Sequence, residues 1–144
     1  MGRKALVVDD EPANRDFLER LLAQAKFAVH GEASGKAALA AVADWDDLAL
    51  AMVDMKLPDM NGLQLTTELR ARFPKAHIVI ATMYDERSLM EKAFSNGCDI
   101  FLVKPHGFME LFQRLVKTDG GVMGGHRHLI IDQYGPRPFR RITP

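Results

Sequence analysis

Short apolar runs alternate with segments of helical periodicity along most of this chain of 144 residues. The apolar runs lie at 5–8, 27–32, 48–53, 78–81 and 100–103. Between them, apolar residues recur three and four positions apart, as they do on one face of a helix. Strands that alternate with helices predict an α/β fold, in which a parallel sheet is covered by helices on both faces.

Residues that start and stop helices stand between the apolar runs. Pro12 suits the first turn of one helix, and Ser34 is a good N-cap for the next. Pro74 ends a third helix, and Asn96-Gly97 is a common stop signal for a fourth. A fifth helix runs from Phe108 to Val116. The pattern therefore predicts five strands and five helices in a domain of residues 1–117.

The segment 118–144 differs in composition, with pairs of glycines followed by three prolines and interspersed with four arginines. It is too short to form a second domain with a core of its own. Its one apolar cluster is Leu129-Ile130-Ile131. We predict a docking or oligomerisation tail, which either packs on the domain or adds a strand to a neighbouring chain.

The overall charge and the cysteine content exclude little but favour one setting. Lys plus Arg and Asp plus Glu number 19 each, so no global charge points to nucleic acid or to an anionic membrane. Cys98 is the only cysteine, which fits a reducing compartment. The chain shows no signal-peptide pattern and no apolar run long enough to span a bilayer. These features predict a cytoplasmic protein without membrane contact.

Polar residues stand where the predicted strands end, and these residues carry the candidate chemistry. Asp9 and Asp10 follow the first strand, Asp54 the third, Thr82 the fourth and Lys104 the fifth. In an open parallel sheet, ligands bind beyond the carboxyl ends of the strands. We therefore expect three carboxylates, one hydroxyl and one ammonium group to meet at one end of the sheet.

Three clustered carboxylates repel one another and call for a cation, and their hard oxygens suit Mg²⁺. A carboxylate beside Mg²⁺ can act as the nucleophile toward a phosphoryl group. Phosphoryl transfer depends mostly on positioning and charge neutralisation, which Lys104 and a hydrogen bond from Thr82 can supply. The strand ends thus predict a phosphoryl-transfer site.

Five stretches, in this order and spacing, resemble the receiver domains of response regulators over about residues 4–117. They are ALVVDDEP, FAVHGEASGKAAL, AMVDMKLPDMNGL, IVIATMYDE and FSNGCDIFLVKP. The resemblance implies a flavodoxin-like, doubly wound, five-stranded parallel sheet of order 2-1-3-4-5 with five helices. It also implies a two-component signalling protein that accepts a phosphoryl group from a sensor histidine kinase or a phosphotransfer protein.

The resemblance assigns a role to each matched residue. Asp54 would be phosphorylated, and Mg²⁺ would be bound by Asp10, Asp54 and the backbone carbonyl of Lys56, with Asp9 assisting through water. The phosphoryl group would contact Thr82 and Lys104. Two further assignments concern the fifth strand: the Lys104-Pro105 bond would be cis, and Phe101 would turn inward when Thr82 moves. A core aromatic at the sheet edge is the alternative for Phe101.

Three positions beside the site shape the expected kinetics. Met83 stands where the family more often has a small residue, and we hypothesise that it slows phosphoryl exchange. Lys56 and Tyr84 lie two residues beyond Asp54 and Thr82, at positions that tune the lifetime in the family. A cation and an aromatic ring there predict a phosphorylated state that lasts longer than in fast chemotaxis-type receivers.

The leading interpretation is a switching module rather than an enzyme, although Mg²⁺-dependent self-phosphorylation and self-dephosphorylation are expected. A downstream partner would read the face formed by the fourth helix, fifth strand and fifth helix, and we expect no DNA-binding domain. A phosphate shuttle or sink and a phosphorylation-independent adaptor are the alternatives. Asp9-Asp10-Glu11 lacks the Asp-x-Asp pattern of aspartyl phosphatases, and no Gly-rich loop supports nucleotide binding.

Overall fold

The structure is a computed structural model, and it describes residues 3–104, 108–117 and 128–139. The strands are β1 (Arg3–Val8), β2 (Phe27–Glu32), β3 (Leu50–Asp54), β4 (His77–Thr82), β5 (Ile100–Val103), β6 (Leu129–Asp132) and β7 (Gly135–Pro138). The helices are α1 (Pro12–Gln24), α2 (Gly35–Ala41), α3 (Gly62–Arg72), α4 (Arg87–Ser95) and α5 (Phe108–Lys117). In these described ranges, no helix combines the length and apolarity needed to cross a bilayer.

The strands form one sheet of order β2-β1-β3-β4-β5-β6-β7. The first five are parallel and follow the predicted order 2-1-3-4-5. Their register aligns the carboxyl ends, since Val8 lies opposite Val53 and Thr82 lies opposite Val103. The residues that follow these strands are therefore brought to the same end of the sheet.

Alternate residues of each strand face opposite helical layers, as the pleat of a sheet requires. One layer is formed by α1 and α5, which bury Leu18, Leu22 and Leu111 against the sheet. The other layer is formed by α2, α3 and α4, which bury Ala38, Leu65 and Phe94. Strands buried on both faces need the nearly continuous apolar runs seen in the sequence.

The predicted helix ends have local causes in the structure. The Ser34 hydroxyl accepts a hydrogen bond from the Ala37 amide (3.1 Å) at the start of α2. Asn61 caps α3 in the same way, by accepting from the Gln64 amide (2.8 Å). Gly97 takes a φ of +109° just after α4, a conformation that glycine adopts without strain. These contacts fix where α2 and α3 begin and where α4 ends.

The chain continues the sheet beyond β5, where the five-stranded prediction placed its edge. The predicted apolar cluster is β6, and it pairs in parallel with β5 of the same chain rather than with a neighbouring chain. β7 then returns antiparallel to β6. Leu129, Ile130 and Ile131 are buried in the two layers of the core. The assignment of 118–144 as a segment separate from the domain stays a prediction.

One charged contact ties α3 to β4 and β5. The Arg70 guanidinium donates to the Asp99 carboxylate (2.6 Å) and to the carbonyls of Gly97 (2.8 Å) and Ala76 (2.7 Å). The same carboxylate oxygen of Asp99 accepts from the Ile78 amide (2.9 Å). Because Asp99 is buried, its charge depends on these donors.

We expect Asp99→Ala to lower the free energy of unfolding by about 2–4 kcal/mol, because it leaves a half-buried guanidinium and the Ile78 amide without their acceptor. Urea unfolding followed by circular dichroism measures the loss. Asp16→Ala is the control, since it removes an exposed partner of Arg20 and should cost about 0.5 kcal/mol or less. Equal losses in the two variants would contradict a structural role for the Asp99 contact.

Candidate functional site

Three carboxylates meet at the carboxyl end of the sheet. Asp9 and Asp10 follow β1, and Asp54 is the last residue of β3. One oxygen from each lies within 4.8 Å of the other two. Asp9 is almost completely buried, Asp10 is exposed and Asp54 is partly exposed. The aligned strand ends therefore bring together the acidic residues that the sequence placed there.

Lys104 provides the positive charge of the site. Its Nζ lies 3.2 Å from Asp54 Oδ1 and 3.5 Å from Asp9 Oδ2. Its backbone amide donates to the carbonyl of Thr82 (2.7 Å), which extends the pairing of β4 and β5 by one residue. Three carboxylates and one ammonium group leave two negative charges, which equals the charge that a divalent cation would balance.

The environment of Asp54 disfavours its charged form. Burial raises the pKa of its carboxyl above the ordinary value, Lys104 counters this effect, and the carboxylates of Asp9 and Asp10 add to it. Functional sites often contain groups perturbed in this way by burial and by like charges. Asp54 thus gains from any additional cation placed among the three carboxylates.

The loop from β3 to α3 is held close to Asp54. The Gly62 amide donates to the carbonyl of Met55 (2.7 Å), and a Cβ on Gly62 would stand 2.6 Å from the carbonyl oxygen of Asp54. Since the obstructing atoms belong to the backbone, only glycine fits here. Asp59 accepts from the amides of Gly35 (2.9 Å) and Lys36 (2.8 Å), so the same loop also caps α2.

Two contacts position Asp9, and neither was predicted from the sequence. The Glu11 amide donates to Asp9 Oδ1 (3.0 Å), a local turn that the spacing of two residues allows. Arg15, on the first turns of α1, donates to the backbone carbonyl of Asp9 (2.8 Å). No sequence motif distinguishes Arg15 from an ordinary exposed helix residue, so only the structure reveals this contact.

A cleft of about 200 Å³ opens over Asp54. Its lining comprises Glu11, Asn14, Asp54, Lys56, Thr82, Met83, Tyr84 and Lys104. The Thr82 hydroxyl is buried and accepts from the Tyr84 amide (3.3 Å). Met83 is 74% exposed, so its side chain lies at the mouth of the cleft rather than over the carboxylate. That it slows exchange stays a prediction.

Lys56 and Tyr84 form a pair across one side of the cleft. The Lys56 ammonium donates to the Tyr84 hydroxyl and lies 4.8 Å from the centre of its ring. The hydrogen bond with Tyr84 raises the pKa of Lys56, so this lysine stays charged at neutral pH. The two predicted tuning residues are thus in direct contact beside Asp54.

Phe101 lies away from the cleft. Its ring is completely buried on the α4 side of the sheet, 6.5 Å from the ring of Phe94, where Ile130 and Phe139 belong to the same apolar cluster. It is a core aromatic, as one of the two interpretations held, but β6 covers the strand that was expected to be the edge. The switching role stays a prediction, and Pro105 lies outside the described residues.

The site residues fit a Mg²⁺ ion by the chemistry of their donors. Asp9, Asp10 and Asp54 offer three hard oxygens within 4.8 Å of one another, and the exposed side of Asp10 leaves room for water ligands. Among the described residues, the lining of the cleft includes no cysteine or histidine, the ligands that softer metals favour.

The family model of the response regulator receiver domain matches residues 5–116. This chain belongs to that family. The receiver domain is 30% identical over 115 residues to the transcriptional regulatory protein SrrA of Staphylococcus aureus, covering 80% of this chain and 47% of SrrA. The chain thus spans about half the length of this curated relative.

Solved structures confirm the predicted flavodoxin-like fold of the receiver domain. A CheY-like receiver domain protein of Methanospirillum hungatei matches with a TM-score of 0.74 at 24% identity, over 83% of this chain and 94% of that one. Chemotaxis response regulator CheY4 of Vibrio cholerae gives 0.71 at 23%, over 80% and 99%. Response regulator DrrB of Thermotoga maritima gives 0.74 at 21%, over 90% and 56%.

We expect Asp54→Asn to be more stable than the wild type at neutral pH without divalent cations. A raised carboxyl pKa means that the folded state holds the proton more tightly, so ionisation above that pKa lowers stability. The difference should therefore shrink as pH falls through the raised pKa toward the ordinary value of 3.8. Urea unfolding across a pH series measures it.

Asp85→Asn is the matched control, because it removes an exposed carboxylate outside the acidic cluster and should show no such pH-dependent gain. Mg²⁺ should then stabilise the wild type and not Asp54→Asn, by mass action on the folded state. A variant that gains stability equally at all pH values would contradict the charge argument.

Proposed function

We propose that this receiver domain accepts a phosphoryl group on Asp54 from a phosphohistidine of a sensor histidine kinase or phosphotransfer protein. The observation that supports this best is the Asp54 carboxylate in an open cleft, with Lys104 Nζ at 3.2 Å and the Asp9 and Asp10 carboxylates beside it. These groups resemble the nucleophile, counter-charge and cation ligands that the reaction needs.

In the proposed transfer, an oxygen of Asp54 attacks phosphorus while the bond between phosphorus and the histidine nitrogen breaks. The nitrogen keeps the electron pair, and the new acyl phosphate stays on Asp54. The Lys104 ammonium balances charge on the transferred oxygens, and the Thr82 hydroxyl can turn from the Tyr84 amide to donate to one of them. Hydrolysis of the acyl phosphate by water returns Asp54 to its carboxylate.

Mg²⁺ is the proposed cofactor, held by Asp10, Asp54 and the carbonyl of Lys56, with Asp9 acting through water. When bound, it would neutralise charge on the phosphoryl oxygens. The protein residues fix the geometry: Gly62 holds the loop against Asp54, while Glu11 and Arg15 orient Asp9. We propose that the domain is a phosphorylated switch rather than a classical enzyme.

The proposed output is a protein contact on the face formed by α4, β5 and α5. Lys92 of α4, together with Met109 and Gln113 of α5, is exposed and available for such a contact. β5 itself is completely covered by its neighbouring strands and helices. A partner on this side therefore has to read the helices or the strands beyond β5.

We expect intact-mass measurement with Mg²⁺ and a small acyl phosphate to show the gain of one phosphoryl group on the wild type and none on Asp54→Asn. Asp85→Asn, with its carboxylate outside the acidic cluster, should still gain the group. Chelation of Mg²⁺ should abolish the gain in every variant. Absence of the gain in the wild type would favour the phosphorylation-independent adaptor, and phosphorylation of Asp54→Asn would contradict Asp54 as the acceptor.

We expect Tyr84→Ala and Lys56→Ala each to shorten the lifetime of the phosphorylated state several-fold, because each opens the same side of the cleft to water. The double variant should decay no faster than the faster single variant, since partners in contact are not additive. Phosphoryl decay followed by intact mass measures these rates.

Tyr84→Phe is the matched control, because it keeps the ring near the Lys56 ammonium and removes only the hydroxyl. It should decay more slowly than Tyr84→Ala. Met83→Ala tests the third position, and equal loading and decay rates for this variant and the wild type would refute its role. If the fold-increases in decay rate of Tyr84→Ala and Lys56→Ala multiply in the double variant, the two residues do not shield the cleft as a pair.

A further inference from the structure

Among the residues that the structure describes, β7 is the last strand of the sheet, and the hydrogen-bond direction of β6 fixes which atoms of β7 face outward. The Leu129 amide donates to the carbonyl of Asp99 (3.0 Å), so Leu129 directs its backbone groups toward β5. The Phe139 amide donates to the carbonyl of His128 (2.7 Å), so a hydrogen bond joins this pair next to the ends of β6 and β7. Both contacts give the same alternation along β6: the backbone groups of Leu129 face β5, and those of His128 and Ile130 face β7.

In an antiparallel ladder, hydrogen-bonded and non-hydrogen-bonded pairs alternate. Because His128 and Phe139 are a hydrogen-bonded pair, the pair of Ile130 and Arg137 is another. The non-hydrogen-bonded positions of β7 are then 136 and 138, opposite Ile131 and Leu129. Their backbone nitrogens point away from β6, toward the open edge of the sheet.

Both outward positions of β7 are proline. Pro136 and Pro138 lack an N–H, so the edge offers no backbone donor within the strand. Arg137 lies between them and has the amide that β6 needs. Proline on an edge strand blocks the addition of a further strand, which is how natural sheets avoid association through their edges.

The hairpin of residues 128–139 is also firmly seated on the domain. Leu129 and Ile131 pack in the layer of α1 and α5, while Ile130 packs in the layer of α4. The centre of the Phe139 ring lies 4.9 Å from that of Phe94, and the Arg87 guanidinium lies 4.6 Å from the centre of the Phe139 ring. The hairpin therefore buries side chains on both faces of the sheet, while the outward positions of its backbone, Pro136 and Pro138, offer no N–H.

We propose that residues 128–139 are an intrachain seal of the sheet edge. They occupy the place beside β5 where a strand of a second copy of this chain could otherwise pair, and the prolines of β7 prevent the pairing of a further strand. The hairpin contacts described above involve no residue that lines the cleft, so the seal does not require phosphorylation of Asp54. The proposal does not depend on the proposed function. Its consequence is that copies of this chain do not associate through this end of their sheets.

The test restores the two missing donors. Pro136→Val/Pro138→Val adds two outward amides to β7 with residues that favour strands, and light scattering after size exclusion measures the molar mass across protein concentrations. We expect the double variant to associate with rising concentration, while the wild type keeps its mass, with and without beryllofluoride. Arg137→Val is the control for added apolar surface, since it adds an apolar β-branched residue to β7 without an outward donor. It also removes the contact of Arg137 with Asp132 (2.7 Å), and it should stay monomeric as the wild type does.

Hydrogen exchange at the Ile130 and Ile131 amides reports whether the hairpin stays seated in each variant. A double variant that keeps this protection and never associates would overturn the seal, as would a wild-type protein whose molar mass rises with concentration and whose β7 residues cross-link between two copies. If the double variant loses the protection, the single variant Pro138→Val is measured instead. Association of Pro138→Val with rising concentration supports the proposal, and a Pro138→Val protein that keeps its amide protection and stays monomeric at all concentrations overturns it. β2, the other edge, is unchanged throughout, so only differences between variants report on β7.

Discussion

The close approach of like charges at the carboxyl end of the sheet is the constraint on which the site depends. Parallel pairing brings Asp9 and Asp54 together. Their repulsion is offset by Lys104, which follows β5, two places in the sheet from the β3 strand that ends at Asp54. The surrounding loops hold this arrangement against its electrostatic cost. Gly62 fits only because it has no side chain, and Asp59 fastens the same loop to α2. A site held short of positive charge is thereby prepared for a cation, which the proposed phosphoryl transfer requires.

Much of this arrangement could be predicted from the sequence, because it follows from patterns that are local. Continuous apolar runs mark strands buried on both faces, and the parallel order then brings the residues after each strand to one end. Asp9, Asp10, Asp54 and Lys104 accordingly lie together. Ser34 likewise caps α2, because an N-cap depends on residues only three positions apart.

The features that escaped prediction depend on contacts between distant residues. Arg70 and Asp99 are 29 residues apart, and no pattern in the sequence pairs them. The apolar cluster in the tail was recognised with two possible partners, the face of the fourth helix, fifth strand and fifth helix or a neighbouring chain. The sequence did not decide between them, because a short strand fits any open edge. Phe101 illustrates the result: it was expected at the edge of the sheet, and it lies in the interior because β6 pairs beside it.

The distance along the chain between β5 and β6 has a consequence for synthesis. The chain leaves the ribosome from its N-terminus, so β5 emerges before the residues that cover it. Leu129 pairs with Ile100, and at roughly 5–20 residues per second the delay is on the order of seconds. During that interval the nascent domain has an open strand edge beside exposed aromatic surface. At this stage of synthesis β5 therefore has an unpaired strand edge, which β6 covers once the hairpin has been made.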